Sequence, residues 1–229
     1  MRRRSFPILA FLGFSLFSGA VAAQTWPMVI DLNADGTPER INWDGETHKL
    51  TINDVDVTPE SEVYEIVVQD LVRGDSFVEL AATTESMDDS YAIQFLRWNG
   101  TGLVALPEIW SFNTHDVRGD GTVVTYEWMG FWQAPKLYRL SADGSALEAV
   151  AQEYLAIGQD YNLLSPLEVF ADQGLTQSLV TIQPGQVVHF MASSPDQSRF
   201  MIRTPQGFVG WISVETVSST SFQDFVWAG

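Results

Sequence analysis

The stretch "DLNADGTPERINWDGETHKLTI", residues 31–52, decides the fold. Its second half, "RINWDGETHKLTI" (40–52), alternates apolar and polar side chains on both sides of Asp44-Gly45. That is the pattern of two strands joined by a tight turn, because successive strand residues face opposite sides of a sheet. "IQFLRWNGTGLVALP" (93–107) repeats the plan around Asn99-Gly100, and "LYRLSADGSALEAV" (137–150) repeats it around Asp143-Gly144. Asn-Gly and Asp-Gly suit two-residue hairpin turns, in which both residues take positive φ. No helical period of any length runs through the chain after its first residues, so the fold class is all-β.

An acidic loop precedes each hairpin: "DLNADGTPERI" (31–41), "DLVRGDSFVELA" (70–81) and "DVRGDGTVVTYEW" (116–128). Asp35, Asp75 and Asp120 stand 40 and 45 residues apart. A loop, a strand and a hairpin at a period near 40 mark a β-repeat array with propeller-like blades. Three copies are too few to close a full propeller. The repeats span 25–155. "AIGQDYNLLSP" (156–166) reads as a linker, and short alternating runs over 160–217 predict a compact barrel of five or six strands. The final residues, 218–229, read either as a frayed tail or as an added strand packing Phe222, Phe225 and Trp227.

Residues 1–23 form a separate class. Arg2, Arg3 and Arg4, an apolar run and the small residues of "AVAAQ" are the order of a secretory signal peptide cleaved after Ala23. As a membrane anchor the run is short and is broken by Pro7, Gly13 and Gly19. Export places the protein in the periplasm or the medium. Loss of the three arginines leaves nine basic against 29 acidic residues, a net charge of about −20. Such a surface repels nucleic acid and anionic lipid and attracts cations. No later segment is apolar over the length of a bilayer span. Cysteine is absent, which excludes disulfides, thiolate metal sites and thiol catalysis.

The first acidic loop carries the strongest chemical signal. Calcium takes six to eight oxygens, supplied in loops of this type from positions 1, 3 and 5, a carbonyl at 7 and a group at 9. Those positions are Asp31, Asn33, Asp35, the carbonyl of Thr37, and Glu39, with Gly36 at the reversal. Position 12 is Asn42 rather than glutamate and the flanks are strands, so the loop is not an EF-hand. One calcium ion and a metal-free Asx-type turn are the two readings. The loop resembles the calcium loop of FG-GAP/VCBS-type repeats, the integrin-α N-terminal-like group, over residues 25–155. The resemblance implies a blade strand after each loop. The third copy has Arg118 at position 3 and Val124 at position 9; the second has Arg73, and Ser76 in place of glycine. Arginine offers no lone pair to a cation, so these two loops are expected to be ion-free and closed by Arg–Asp pairing.

The C-terminal module resembles a bacterial SH3-like domain over 160–217. Pro184-Gly185, the strand Val187–Met191, Phe200–Arg203 and "GFVGWI" (207–212) carry the resemblance. "EVFADQG" stands where the family often has N-V-R-x-G-P, and Phe200 where tryptophan is common.

His48, His115 and His189 fall in different modules or repeats, and no nucleophile elbow is present. Trp128, Phe131 and Trp132 cluster around Gly130 and, with Trp211, are either core or a ligand platform. The resemblances imply a non-enzymatic binding protein of the bacterial envelope, holding a protein or a cell-wall peptide or glycan. The second reading is an envelope hydrolase, or an accessory subunit of one, targeted by the barrel.

Overall fold

The computed structural model describes residues 24–59, 61–85 and 89–227. The signal-peptide expectation for 1–23 lies outside the described residues. The chain is all-β. The first sheet is an antiparallel meander of β1 (Met28–Ile30), β2 (Glu39–Asp44), β3 (Lys49–Ile52) and β4 (Val55–Asp56). The second runs β5 (Glu65–Gln69), β6 (Glu79–Glu85), β7 (Ser90–Trp98) and β8 (Leu103–Ala105). Strand β9 (Ile109–Phe112) returns to pair with the first half of β7, while β8 takes the second half. The third is β10 (His115–Val117), β11 (Thr122–Trp128), β12 (Gln133–Leu140) and β13 (Leu147–Ala149). Each of the three has a short strand, an acidic loop, two longer strands and a short closing strand. In each, the acidic loop leads into the first of the two longer strands.

The hairpin turns are longer than the Asp-Gly and Asn-Gly pairs predict. Asp44 pairs with Lys49, Trp98 with Leu103 and Leu140 with Leu147, which leaves four to six residues in each loop. In the first loop the positive φ falls at His48 rather than Gly45; in the others Gly100 and Gly144 take it. Asp44, Asn99 and Asp143 do not turn the backbone themselves. Their side chains accept backbone N–H groups two residues on, the Asx-turn device.

The middle sheet explains the stacking. Leu80, Ala82, Leu96 and Trp98 face the first sheet and share a buried cluster with Ile41, Trp43, Leu50 and Ile52. Ala81, Phe95 and Ile93 face the other way and cluster with Val123 and Leu147 of the third sheet. A sheet covered on both faces reads as a near-continuous apolar run, and "AIQFL" (92–96) is that run. The first sheet is covered on one face. Exposed Arg40–Asp54 and Lys49–Asp56 pairs, 3.2 and 3.1 Å, lie on it. A polar outer face lets the outermost sheet of a stack meet water without exposing a core.

The last sheet has six strands: β14 (Leu155–Asn162), β15 (Leu167–Phe170), β16 (Ser178–Ile182), β17 (Val187–Ser193), β18 (Arg199–Arg203) and β19 (Val209–Ser213). Their order is β14-β17-β18-β19-β15-β16. The linker expectation for 156–166 is corrected here. Residues 155–162 are a strand paired along β17, with a bulge between Ala156 and Gln159 at Gly158, which takes positive φ. Alternation was present in the segment, but Gly158 and the bulge hid its period. The closing motif has two glycines with separate tasks. Gly207 turns the chain at positive φ. Gly210 lets β19 touch β15: a Cβ there would lie 2.6 Å from the Phe170 carbonyl oxygen.

The third sheet and the six-stranded sheet share one core. The β11–β12 hairpin tip, Met129 to Trp132, is buried among Phe190, Phe200, Ile202 and Ile212. Residues 218–227 are neither frayed nor a regular strand. Phe222 and Phe225 are buried in the same cluster, and the segment is tied by Leu164 N–H to the Ser221 carbonyl and Gln223 N–H to the Asn162 carbonyl. Trp227 lies over Gly130 and tilts against Phe131.

Candidate functional site

The three acidic loops share one device. Asp35, Asp75 and Asp120 each accept the backbone N–H two residues on, from Thr37, Phe77 and Thr122 at 2.7, 2.7 and 3.0 Å. These bonds to the charged form hold the Asp35 and Asp120 carboxyls below the usual carboxylate range; the largest contributions come from the Thr37 N–H and the Thr122 hydroxyl.

Two of the loops share a second device that the sequence reading missed. Glu39 and Glu79 begin the strands after the loops and are almost wholly buried. Each reaches back to accept a leucine N–H at the loop's entry, Leu32 and Leu71, both at 2.9 Å. The signal was available as a repeated Asp-Leu, at 31–32 and 70–71, followed by a glutamate seven or eight residues after the leucine. In the third loop the register pairs Val117 with Val123 where the others pair Ile30 with Glu39 and Gln69 with Glu79. Val123, not Val124, therefore stands in the glutamate's place, because the loop is shorter.

The first loop draws three oxygen-bearing side chains onto one turn. Asp31 Oδ1 and Asn33 Oδ1 both accept the Asp35 N–H, Asp31 Oδ2 accepts the Gly36 N–H, and the Asn33 amide donates to Asp35 Oδ2. Gly36 and Ala34 supply the positive φ. Asp31, Asn33, Asp35 and the Thr37 carbonyl are hard oxygen donors of the kind calcium takes. They fit. Glu39 does not fit as placed, because its carboxylate is turned inward to Leu32. Among the described residues, no three His, Cys, Asp or Glu side chains gather at a metal's reach.

The Arg–Asp closure expected of the other loops takes a different form. Arg118 meets Asp116 at 3.5 Å on the surface, while Asp120 is bonded to Thr122. Arg73 crosses to the third loop, where its side chain packs over Gly119 and its N–H donates to the Gly119 carbonyl.

The aromatic cluster divides. Phe131, Trp132 and Trp211 are buried, at 7, 1 and 8 % exposure, and pack the core rather than a surface platform. Trp128 is 41 % exposed and stacks on Phe112, with ring centroids 5.6 Å apart at 29°. Beside them Trp110 of β9 is 54 % exposed. These rings line a cleft of about 390 Å³ at the seam of β9 with β11 and β12, with Tyr126, Glu127 and Lys136 on its wall. Lys136 meets Glu127 at 3.6 Å and lies over the Tyr138 ring.

The histidines lie apart. His48 Nδ1 bonds the Val63 carbonyl, and His189 Nδ1 meets Asp160 Oδ1 at 2.7 Å. His115 sits between the Tyr91 hydroxyl and Gln69 Oε1. Burial pushes the His115 imidazole below its ordinary value and the Tyr91 hydroxyl up to about 12. Among the described residues no helix is long and apolar enough to cross a membrane. Comparison with family models, with curated proteins and with solved structures finds no match to this chain.

Proposed function

We propose that the chain is an exported, non-enzymatic binding protein of the bacterial envelope. Its repeat module is read as three propeller-like blades, and its C-terminal sheet as an SH3-like barrel packed on the last of them. The ligand is a protein or a cell-wall peptide or glycan. One calcium ion, held by Asp31, Asn33, Asp35 and the Thr37 carbonyl, stiffens the outermost blade.

The observation that carries the binding reading is the aromatic cleft. Two tryptophans more than 40 % exposed on neighbouring strands are unusual on a folded surface, where large aromatic rings are mostly withdrawn from water. A concave wall of aromatic rings with a few polar groups is the ordinary form of a ligand site. The test is retention of envelope components by the immobilised protein, compared with Trp128→Ala and with calcium present or chelated. Identical retention by the wild type and the variant would end the reading.

A further inference from the structure

We infer that the cleft between β9 and β11 binds an uncharged oligosaccharide; this rests on the binding reading above and gives it a ligand class. Three features of the cleft point the same way. The first is its aromatic wall. Trp128 stacks on Phe112 with the ring planes 29° apart, so its indole is fixed in orientation, and Trp110 adds a second exposed indole beside it. A pyranose ring has a face of C–H bonds and a rim of hydroxyls. The face covers an indole, and the rim needs donors and acceptors at its edge.

The second feature is that the edge is present and electrically balanced. Glu127 and Lys136 sit on the cleft wall as a partly exposed pair, so an acceptor and a donor stand together with no net charge. Burial works against the charged form of Lys136, but the Tyr138 hydroxyl and Glu127 together outweigh it, so the lysine stays cationic and paired. An anionic sugar would have to separate that pair and approach a chain of net charge −17. A cationic ligand would meet Lys136. A neutral ligand meets neither obstacle.

The third feature argues against an extended peptide. Peptides that add to a sheet are held through backbone hydrogen bonds at an open edge. The β11 edge at the cleft is taken at Tyr126: its N–H donates to the Ser111 hydroxyl, which itself donates to the Thr114 carbonyl. The cleft is also a bounded space of about 390 Å³, which suits a short ligand held by ring faces and hydroxyls.

The test uses the protein purified from the periplasm or medium, titrated in a calorimeter and by tryptophan fluorescence. The probes are the N-acetylglucosamine tetrasaccharide, cellotetraose, tetragalacturonate and a proline decapeptide. Saturable binding of a neutral tetrasaccharide is expected, with tetragalacturonate weaker by about tenfold or more. Trp110→Ala and Trp128→Ala should each weaken the neutral sugar by about tenfold or more, and Glu127→Gln should weaken it less. Trp128→Phe, which keeps a flat ring, should retain part of the affinity and serves if the alanine variant does not fold. Binding of the proline peptide alone, abolished by Trp128→Ala, would overturn the sugar and leave the cleft as a peptide site. No binding of any probe would overturn the sugar, and the binding reading would then fall only if retention of envelope components were also identical for the wild type and Trp128→Ala. Sugar binding untouched by Trp110→Ala and Trp128→Phe would place it elsewhere on the molecule and overturn this cleft.

Discussion

Glu79 and Arg97 face each other across β6 and β7 and close an ion pair of 2.8 Å, with the carboxylate side chain wholly buried. The pair lies on the face of the middle sheet that meets the third sheet. Arg97 completes the link by donating to the Gly144 carbonyl at 2.7 Å, in the loop between β12 and β13. One guanidinium thus joins two sheets, lies over the Phe77 ring, and balances the glutamate that ties Leu71.

Arg97→Leu should be strongly destabilising, by about 3–5 kcal/mol, because it leaves a buried carboxylate without its counter-charge. Replacing both partners with leucine should cost less than the single change, which urea unfolding of the three variants would measure. Burial already raises the Glu79 carboxyl above its ordinary value, against the opposing pull of the Leu71 N–H and Arg97. A raised carboxyl contributes stability that is present at low pH and lost as pH rises through the folded value. The deficit of Arg97→Leu should therefore narrow as pH is taken from about 7 toward 5, and an equal deficit at both would refute the argument.

The exposed loop aspartates act with the opposite sign. Asp143 and Asp196 are lowered to about 2, chiefly by Ser141 and Ser194 side chains, and Asp56 likewise by Thr58. A depressed carboxyl contributes stability present above its unfolded value, near 3.9, and lost as pH falls through the folded value. His115, lowered by burial, adds a loss in the same direction below about 6.5. Melting temperature should hold near neutrality, decline gently through the histidine range, and collapse between about pH 4 and 2. Asp143→Ala should flatten the acid limb, since its titration then contributes nothing.

Calcium should raise the melting temperature, because an ion that binds only the folded loop stabilises it by about 2.7 kcal/mol at a hundred times Kd. Asp31→Ala or Asp35→Ala should abolish the response. Asp120→Asn should leave it unchanged, since that aspartate serves Thr122 in a different loop. Glu39→Ala should separate structure from metal. It removes a buried acceptor from the Leu32 N–H and should cost about 1–3 kcal/mol with or without calcium. Calorimetric titration after chelator treatment gives the answer. No heat and no thermal shift would leave "DLNADG" as a turn.

The acidic loops and the strands beside them were legible because their marks are local. Loop aspartates and hairpin alternation are written in neighbouring residues, and the 40- and 45-residue spacing of Asp35, Asp75 and Asp120 became three equivalent N–H caps. What escaped the sequence depends on partners distant in the chain. The ion pair of Glu79 depends on Arg97, 18 residues on, and the fate of "MGFW" (129–132) on Phe200 and Phe222. Trp110 looked like any strand residue until β9 folded back on β7 and left its ring at the surface. The strand at 155–162 failed for a different reason, a glycine bulge that breaks the period of two.

The shared core predicts how the chain unfolds. Trp132 is 1 % exposed between the third sheet, whose strand β12 follows it, and Phe131 and Phe200, the latter in the six-stranded sheet. Phe225, near the C-terminus, rests on Phe131 with ring centroids 4.8 Å apart. If the two modules melted separately, each would have to expose this cluster while the other stayed folded. Trp132→Ala should therefore destabilise the whole chain by about 3–5 kcal/mol, the usual cost of emptying a buried aromatic site. Calorimetric melting of the wild type should give one transition, and the variant one transition at lower temperature. A truncation before Phe222 should lower it as well, because it opens the same cluster from the other side. Two separate transitions, with only one moved by Trp132→Ala, would show that the modules do not depend on this core.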